Sequence, residues 1–185
     1  MIELQFFEKQ DFQQLMSWID SQDFLVQWAG NSMQFPLDEQ QLEHYLRMSN
    51  SESADNLAYK VILVESGETI GHISLGTINR KNETARMCRV LIGDKSLQGR
   101  GIGRLMVHAL LKIAFEQLNL HKVSLAVYDF NEAAVNLYKK IGFKTEGFIR
   151  EASKVGNAHW SYFEMSMLNR EWQALNNFDA NQVFK

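Results

Sequence analysis

Two short segments hold the residue types most able to do chemistry. The first is Gln98-Gly99-Arg100-Gly101-Ile102-Gly103-Arg104, which sets three glycines just before an apolar, helix-periodic run. Glycine near a helix costs stability relative to alanine, so the junction must need bare backbone. A helix start offers N–H groups without intrahelical partners and the positive end of the helix dipole. Without side chains at Gly101 and Gly103, a diphosphate could approach those groups closely. Arg100 and Arg104 would add positive charge nearby. The other reading is a glycine turn that binds nothing. The second segment is Asn131-Glu-Ala-Ala-Val-Asn-Leu-Tyr138-Lys-Lys140-Ile-Gly142-Phe143. Asn131 suits an N-cap and Gly142 a C-terminal stop. Tyr138 follows Asn131 by about two helical turns, so both share nearly one face. Taken alone, Tyr138 reads first as a core residue on a helix.

Other phosphate motifs fit poorly. G-x-G-x-x-G started at Gly99 ends on Arg104, and started at Gly101 it ends on Met106; no G-x-x-x-x-G-K-[ST] run occurs. Nothing resembles H-E-x-x-H or a cysteine cluster, so no metal is implied. Cys88 is the single cysteine, which excludes an internal disulfide and reads as a small buried hydrophobe.

Several elements must position these segments. Ile2 to Phe7 reads as a strand and residues 11 to 50 as helical, with Phe12, Leu15, Met16 and Ile19, then Leu42, Tyr45 and Leu46, at helical spacing. Ser49 to Asn56 is a polar loop. Three β-rich runs follow, from Leu57, Thr69 and Ala85, the first pair joined across Gly67-Glu68. The helix after the glycines should bury Ile102, Leu105, Met106, Ala109, Leu110 and Ile113, leaving Arg104, His108, Lys112 and Glu116 as a solvated stripe. Another strand from Lys122, the Asn131 helix and a closing antiparallel pair around Gly156-Asn157 complete an α+β pattern with a mixed sheet.

At 185 residues, with 45% hydrophobic and 22% charged residues, the chain suits one soluble domain over 1–185. No apolar run approaches a membrane span, and the acidic start lacks the pattern of a signal peptide, so a cytoplasmic location is expected. A formal net charge of −3 argues against a nucleic-acid surface and is compatible with an amine substrate.

The two motifs together, in this order, resemble the GNAT superfamily of acetyl-CoA-dependent N-acetyltransferases. Members pair Q/R-x-x-G-x-G/A with a later N-x-x-A-x-x-L-Y-x-K-x-G-F segment, matched here by Gln98, Gly101 and Gly103, then Asn131, Ala134, Leu137, Tyr138, Lys140, Gly142 and Phe143. The resemblance covers about Leu57 to Leu168, and both ends resemble the branch containing ribosomal-protein N-terminal acetyltransferases. It implies a mostly antiparallel central sheet with a splayed strand pair, flanked by helices. It implies acetyl-CoA as co-substrate, with Leu91, Ile92 and Gly93 along the pantetheine arm, Gln98 to Arg104 at the diphosphate, and Asn131 and Lys140 also toward the cofactor. Lys139 is a neighbouring candidate near the 3′-phosphate. Tyr138 would protonate the leaving thiolate; with reference pKa values of about 10 and about 8.5, the transfer is feasible. The acceptor would be an amine, either a small molecule or a protein N-terminus, and a homodimer is compatible with the pattern. A non-catalytic acyl-CoA-binding or sensor domain is the alternative.

Some relatives carry a glutamate on the strand before the Asn helix; here that strand reads Ser124-Leu125-Ala126-Val127. Glu83, His72 and His159 are candidate bases, and none is assigned. Trp28, Phe35 and Tyr45 could line an acceptor pocket under the residue 11 to 50 helices.

Overall fold

Local signals set most boundaries in this computed structural model, which describes residues 1–182 and side chains as far as Asn176. Ser21 and Asp38 cap the helices that follow them by accepting from Phe24 and Gln41 N–H groups. In chain order the elements are β1 (Ile2–Phe6), α1 (Phe12–Trp18), α2 (Gln22–Ala29), α3 (Glu39–Arg47), β2 (Leu57–Leu63), β3 (Glu68–Asn79) and β4 (Thr84–Ile92). Then come α4 (Ile102–Lys112), β5 (Lys122–Tyr128), α5 (Glu132–Ile141), β6 (Lys144–Val155), β7 (Ala158–Leu168) and α6 (Asn169–Gln182). The strands form one sheet in the order β1-β2-β3-β4-β5-β7-β6. Only β4 and β5 are parallel, and α4 supplies the crossover such a pair requires.

The sheet buries apolar side chains on both faces. Beneath α4 and α5, Met106, Leu110 and Leu111 meet Leu125, Met165 and Met167. On the opposite face, Phe12, Leu15, Leu25 and Leu42 form a second cluster with Trp28, Tyr45 and Leu91. Each such fully buried side chain contributes roughly 1.5–3 kcal/mol relative to exposure. Lys60 lies in the otherwise apolar β2 and is held by Asp11 at 3.2 Å.

Two sequence expectations change. α4 buries Ile102, Met106 and Leu110 as expected, but Leu105 is 45% exposed and Val107 and Leu111 are buried beside them. Past α4 the helix widens over Ile113–Gln117, where Leu118 N–H donates to Ile113 C=O five residues back, and Ala114 and Phe115 are buried there. His108 is also not solvated, because Trp172 of α6 packs 5.4 Å from its ring. The sequence pattern does not announce α6 itself. Its polar run shows little amphipathic character; among its described residues Trp172 is buried, and its Nε1–H reaches Glu116 at 3.3 Å.

β4 and β5 pair only from Thr84–Lys122 to Arg86–Ser124, then part. At that vertex Arg86 donates to both carboxylate oxygens of Glu164 on β7, at 2.6 and 2.7 Å. Three residues on, β4 gains an extra residue against β3: His72 faces Leu91, yet Ser74 faces Cys88. Arg89 sits in this bulge with φ +53°.

The fork between Arg86 and Glu164 predicts a loss on breaking it. Glu164→Gln should lower unfolding free energy by roughly 1–3 kcal/mol in urea titrations, because the half-buried guanidinium keeps only part of its bonding. A stability unchanged within about 0.3 kcal/mol would show that the fork holds nothing together.

Candidate active site where two strands part

The gap between β4 and β5 joins two cavities. The larger, of about 1680 Å³, lies against α2, α3 and the 51–56 loop. The smaller, of about 760 Å³, lies between the parted strands, the glycine junction and α5. Met87, Cys88, Arg89, Ala126 and Tyr128 line both, and so does Trp28. The two cavities therefore share a wall where the strands part.

Most of the expected cofactor residues converge on the smaller cavity. Leu91, Ile92, Gln98, Gly99, Gly101, Gly103, Arg104, Asn131, Tyr138 and Lys140 all line it. Gly101 precedes α4 in a left-handed conformation, φ +83°, with no side chain capping the helix. The first intrahelical bond runs from Leu105 N–H to Gly101 C=O, which leaves the N–H groups of Ile102, Gly103 and Arg104 without intrahelical partners. Gly103 also serves packing: a Cβ there would stand 3.1 Å from Leu137 Cδ2.

Three expected residues depart from this pattern. Gly93 lies outside the cavity lining, and its N–H donates to Ile70 C=O at 2.9 Å. Its glycine is explained by Trp18, whose indole would lie 2.1 Å from a Cβ. Arg100 is exposed and also outside the lining. It adds to the hydrogen bonds from Ser96 that hold the Asp94 carboxyl below its ordinary range. Ile102 turns its side chain into the core, so only its backbone could meet a ligand.

Tyr138 is buried at 7% exposure on the α5 wall of the smaller cavity, with its ring edge-on to Phe143. Burial, then the nearby Cys88, pushes its hydroxyl pKa up, which keeps the phenol protonated. Asn131 spends its side-chain oxygen on the Ala134 N–H, as an N-cap. Lys139 points elsewhere, its Nζ 5.9 Å from the centre of the Phe163 ring.

Cys88 is half-buried at the gap instead of in the core, and burial raises its thiol pKa, so it is no activated nucleophile. Of the acceptor candidates, Trp28 and Tyr45 line the larger cavity, while Phe35 is 45% exposed and lines neither. Trp28 Nε1–H donates to Arg89 C=O at 3.0 Å and pins the bulge. The candidate bases are also dispersed. Glu83 and His159 are exposed and line neither cavity. His72 is fully buried beneath Tyr45, sharing a 3.1 Å hydrogen bond between its Nε2 and Tyr45 Oη, with Nδ1 unpartnered. Burial, helped by the Arg89 charge, lowers its pKa to about 3. Sequence reasoning does not reach Arg86, Arg89 and Glu164. Lone charged residues on strands carry no local signature of the partners that β7 and α3 bring to them.

Among the described residues, no three His, Cys, Asp or Glu side chains gather as a metal site, and no helix is long and apolar enough to cross a membrane. A sheet that opens beside a bare helix start is the architecture of an acyl-CoA-dependent transferase. Residues 2–144 match the model of the GNAT acetyltransferase domain, and the chain belongs to that family. The protein named "Putative ribosomal N-acetyltransferase YdaF" of Bacillus subtilis is 31% identical over 111 residues, 60% of each chain. That match spans less than two thirds of the relative. The spermidine N(1)-acetyltransferase of Vibrio cholerae is 28% identical over 124 residues, 66% of this chain and 70% of that protein. A crystal structure of spermidine N-acetyltransferase from Vibrio cholerae with CoA and spermine shares the fold, with a TM-score of 0.81 over 93% of this chain and 98% of that one, at 23% identity.

His72 makes stability depend on pH in a definite direction. Its folded pKa of about 3 lies below the ordinary 6.5, so below that value the unfolded chain binds a proton that the folded chain refuses. Its contribution is complete above pH 6.5 and declines as pH falls toward 3, by up to about 1.4 kcal/mol per pH unit. Urea titrations between pH 6.5 and 5 should show this slope in the wild type and lose it in His72→Gln. Equal slopes would mean that His72 titrates normally.

Proposed function

We propose that the chain, as one N-acetyltransferase domain over 1–185, transfers an acetyl group from acetyl-CoA to an amine by direct attack in a ternary complex. The observation that carries this reading is the pair of cavities meeting at Cys88, Arg89 and Ala126, where β4 and β5 part. The co-substrate takes the smaller cavity and the amine comes from the larger.

The residues fit acetyl-CoA. The uncapped start of α4, with Gly101 and Gly103 bare and Arg104 beside them, receives the diphosphate. Lys140 stands at the same cavity for a further phosphate. The unpaired edges of the parted strands accept the pantetheine arm as an added strand. The neutral amine nitrogen attacks the thioester carbonyl carbon; the N–C bond forms and the C–S bond breaks. The Tyr138 hydroxyl gives its proton to the departing sulfur, and the proton released by the amine nitrogen returns the balance through solvent. Burial keeps the Tyr138 hydroxyl protonated but also makes it a weaker acid than a free phenol. The developing thiolate must therefore be close before the proton moves. We place the enzyme in the cytoplasm, where it could assemble as a homodimer.

Tyr138→Phe keeps the ring and removes the proton. Its kcat should fall by on the order of 10²–10⁴, with acetyl-CoA affinity and thermal midpoint little changed. A normal kcat would remove Tyr138 from the mechanism. Gly101→Val should weaken acetyl-CoA binding by at least about tenfold in calorimetry, because φ +83° is strained for a branched residue and the added side chain would stand in the open space at the uncapped helix start. Unchanged affinity would move the diphosphate elsewhere.

A further inference from the structure

The chain as a whole is acidic, with a formal net charge of −3, but the larger cavity is not. Arg47, Arg80, Lys81, Arg86 and Arg89 line it, against a single carboxylate, Asp55. Two of these cations are already committed. Arg80 is tied to Asp55 at 3.3 Å and to the carbonyls of Glu52 and Ala54. Arg86 is forked onto Glu164. Arg47 and Lys81 are exposed at the rim.

Arg89 differs from all four. It is half-buried and lines both cavities, beside the gap through which the two substrates must meet. Its guanidinium is held by Ser32 Oγ at 3.1 Å and lies 4.5 Å from the centre of the Tyr45 ring. Its Nε is buried without a hydrogen-bond partner. Among the described residues no carboxylate pairs with it. A half-buried cation without an anionic partner is costly unless something anionic completes it. The bulge at φ +53° and the Trp28 bond to its carbonyl hold the backbone that aims it.

We propose that the acceptor amine carries a carboxylate and that Arg89 receives it. The inference rests on the acetyl-transfer reading and names the substrate class for the same site. A guanidinium meets a carboxylate as a planar fork, which fixes orientation as well as affinity. Binding the carboxylate at Arg89 sets the amine of the same molecule beside the gap. A polyamine would do the reverse, bringing two or more positive charges into a cleft that already holds an excess of them and offers no free acid. The carboxylate could belong to a free amino acid or to an acidic peptide.

The test is steady-state acetylation of free amino acids and of short peptides with an acidic residue, each beside its carboxamide, with spermidine as a further arm. The wild type should prefer each acid over its amide by roughly ten- to hundredfold in kcat/KM, and should use spermidine poorly. Amino acids and peptides as separate arms identify the source of the carboxylate. Arg89→Gln should abolish the acid preference through KM while acetyl-CoA affinity, measured by calorimetry, stays within about twofold; Arg89→Lys should keep part of it. Amides used as well as acids, or spermidine preferred, would overturn the proposal and leave acetyl transfer standing. An acid preference that survives in Arg89→Gln would overturn the role of Arg89. Acetyl-CoA binding without acetylation of any amine would overturn both readings.

Discussion

The molecule is organised by one backbone constraint: β4 and β5 pair for three residues and then part. Strands normally stay paired because unpaired N–H and C=O groups are costly away from water. Here the parting is enforced from both sides. At the vertex, Arg86 reaches across to Glu164 on β7 and closes the last paired step. Beyond it, the bulge at Arg89 turns β4 away, and the Trp28 indole takes up the exposed Arg89 carbonyl. α2 supplies that indole, so the helices of the first third of the chain help hold the sheet open. Everything the site needs follows from the gap: a passage between two cavities, free strand edges, and a helix start on one side.

The two faces of the sheet are chemically different for the same reason. Toward α4 and α5 the strands present Leu125, Met165 and Met167, which form a dry, well-packed support for the glycine junction and for Tyr138. Toward α3 they present Arg86, Cys88, Tyr128 and Tyr162, a polar floor under the larger cavity. His72 lies among the aromatic rings of Phe7, Trp28 and Tyr45 behind that floor. Burial, then the positive charge of Arg89, keeps it neutral. A histidine kept neutral in this way is a poor proton acceptor near neutral pH. The arrangement also shows why an overall negative charge says little about the field inside one cleft.

Much of the architecture is legible in the residues themselves. β-rich apolar runs locate the strands, Gly67 and Gly156 mark hairpin turns with positive φ, and Asn131 and Gly142 bound a helix by their capping chemistry. These are short-range effects, settled within a few residues, and they survive in any context. The Gln98–Arg104 junction is legible for the same reason: bare N–H groups at a helix start are a local property of the chain. What misleads is also local in origin. On α4 an ideal period finds Ile102, Met106 and Leu110 but puts Leu105 in the core in place of Val107 and Leu111, and α6 has too little amphipathic pattern to announce itself.

The order of the elements, the family and the chemistry available at two helix starts are therefore properties of the amino-acid sequence alone. Which side chains face the gap is settled by packing between distant segments. Arg86 and Glu164 are 78 residues apart, and Arg89 meets Ser32 across 57. No local pattern records such pairs, because sheet order and a one-residue bulge decide which strand face each side chain occupies. The same long-range packing removes Gly93, Arg100 and Phe35 from the cavities and places Arg89 between them. Spacing along a chain specifies how a segment folds; which charge is left without a partner depends on every element that packs around it.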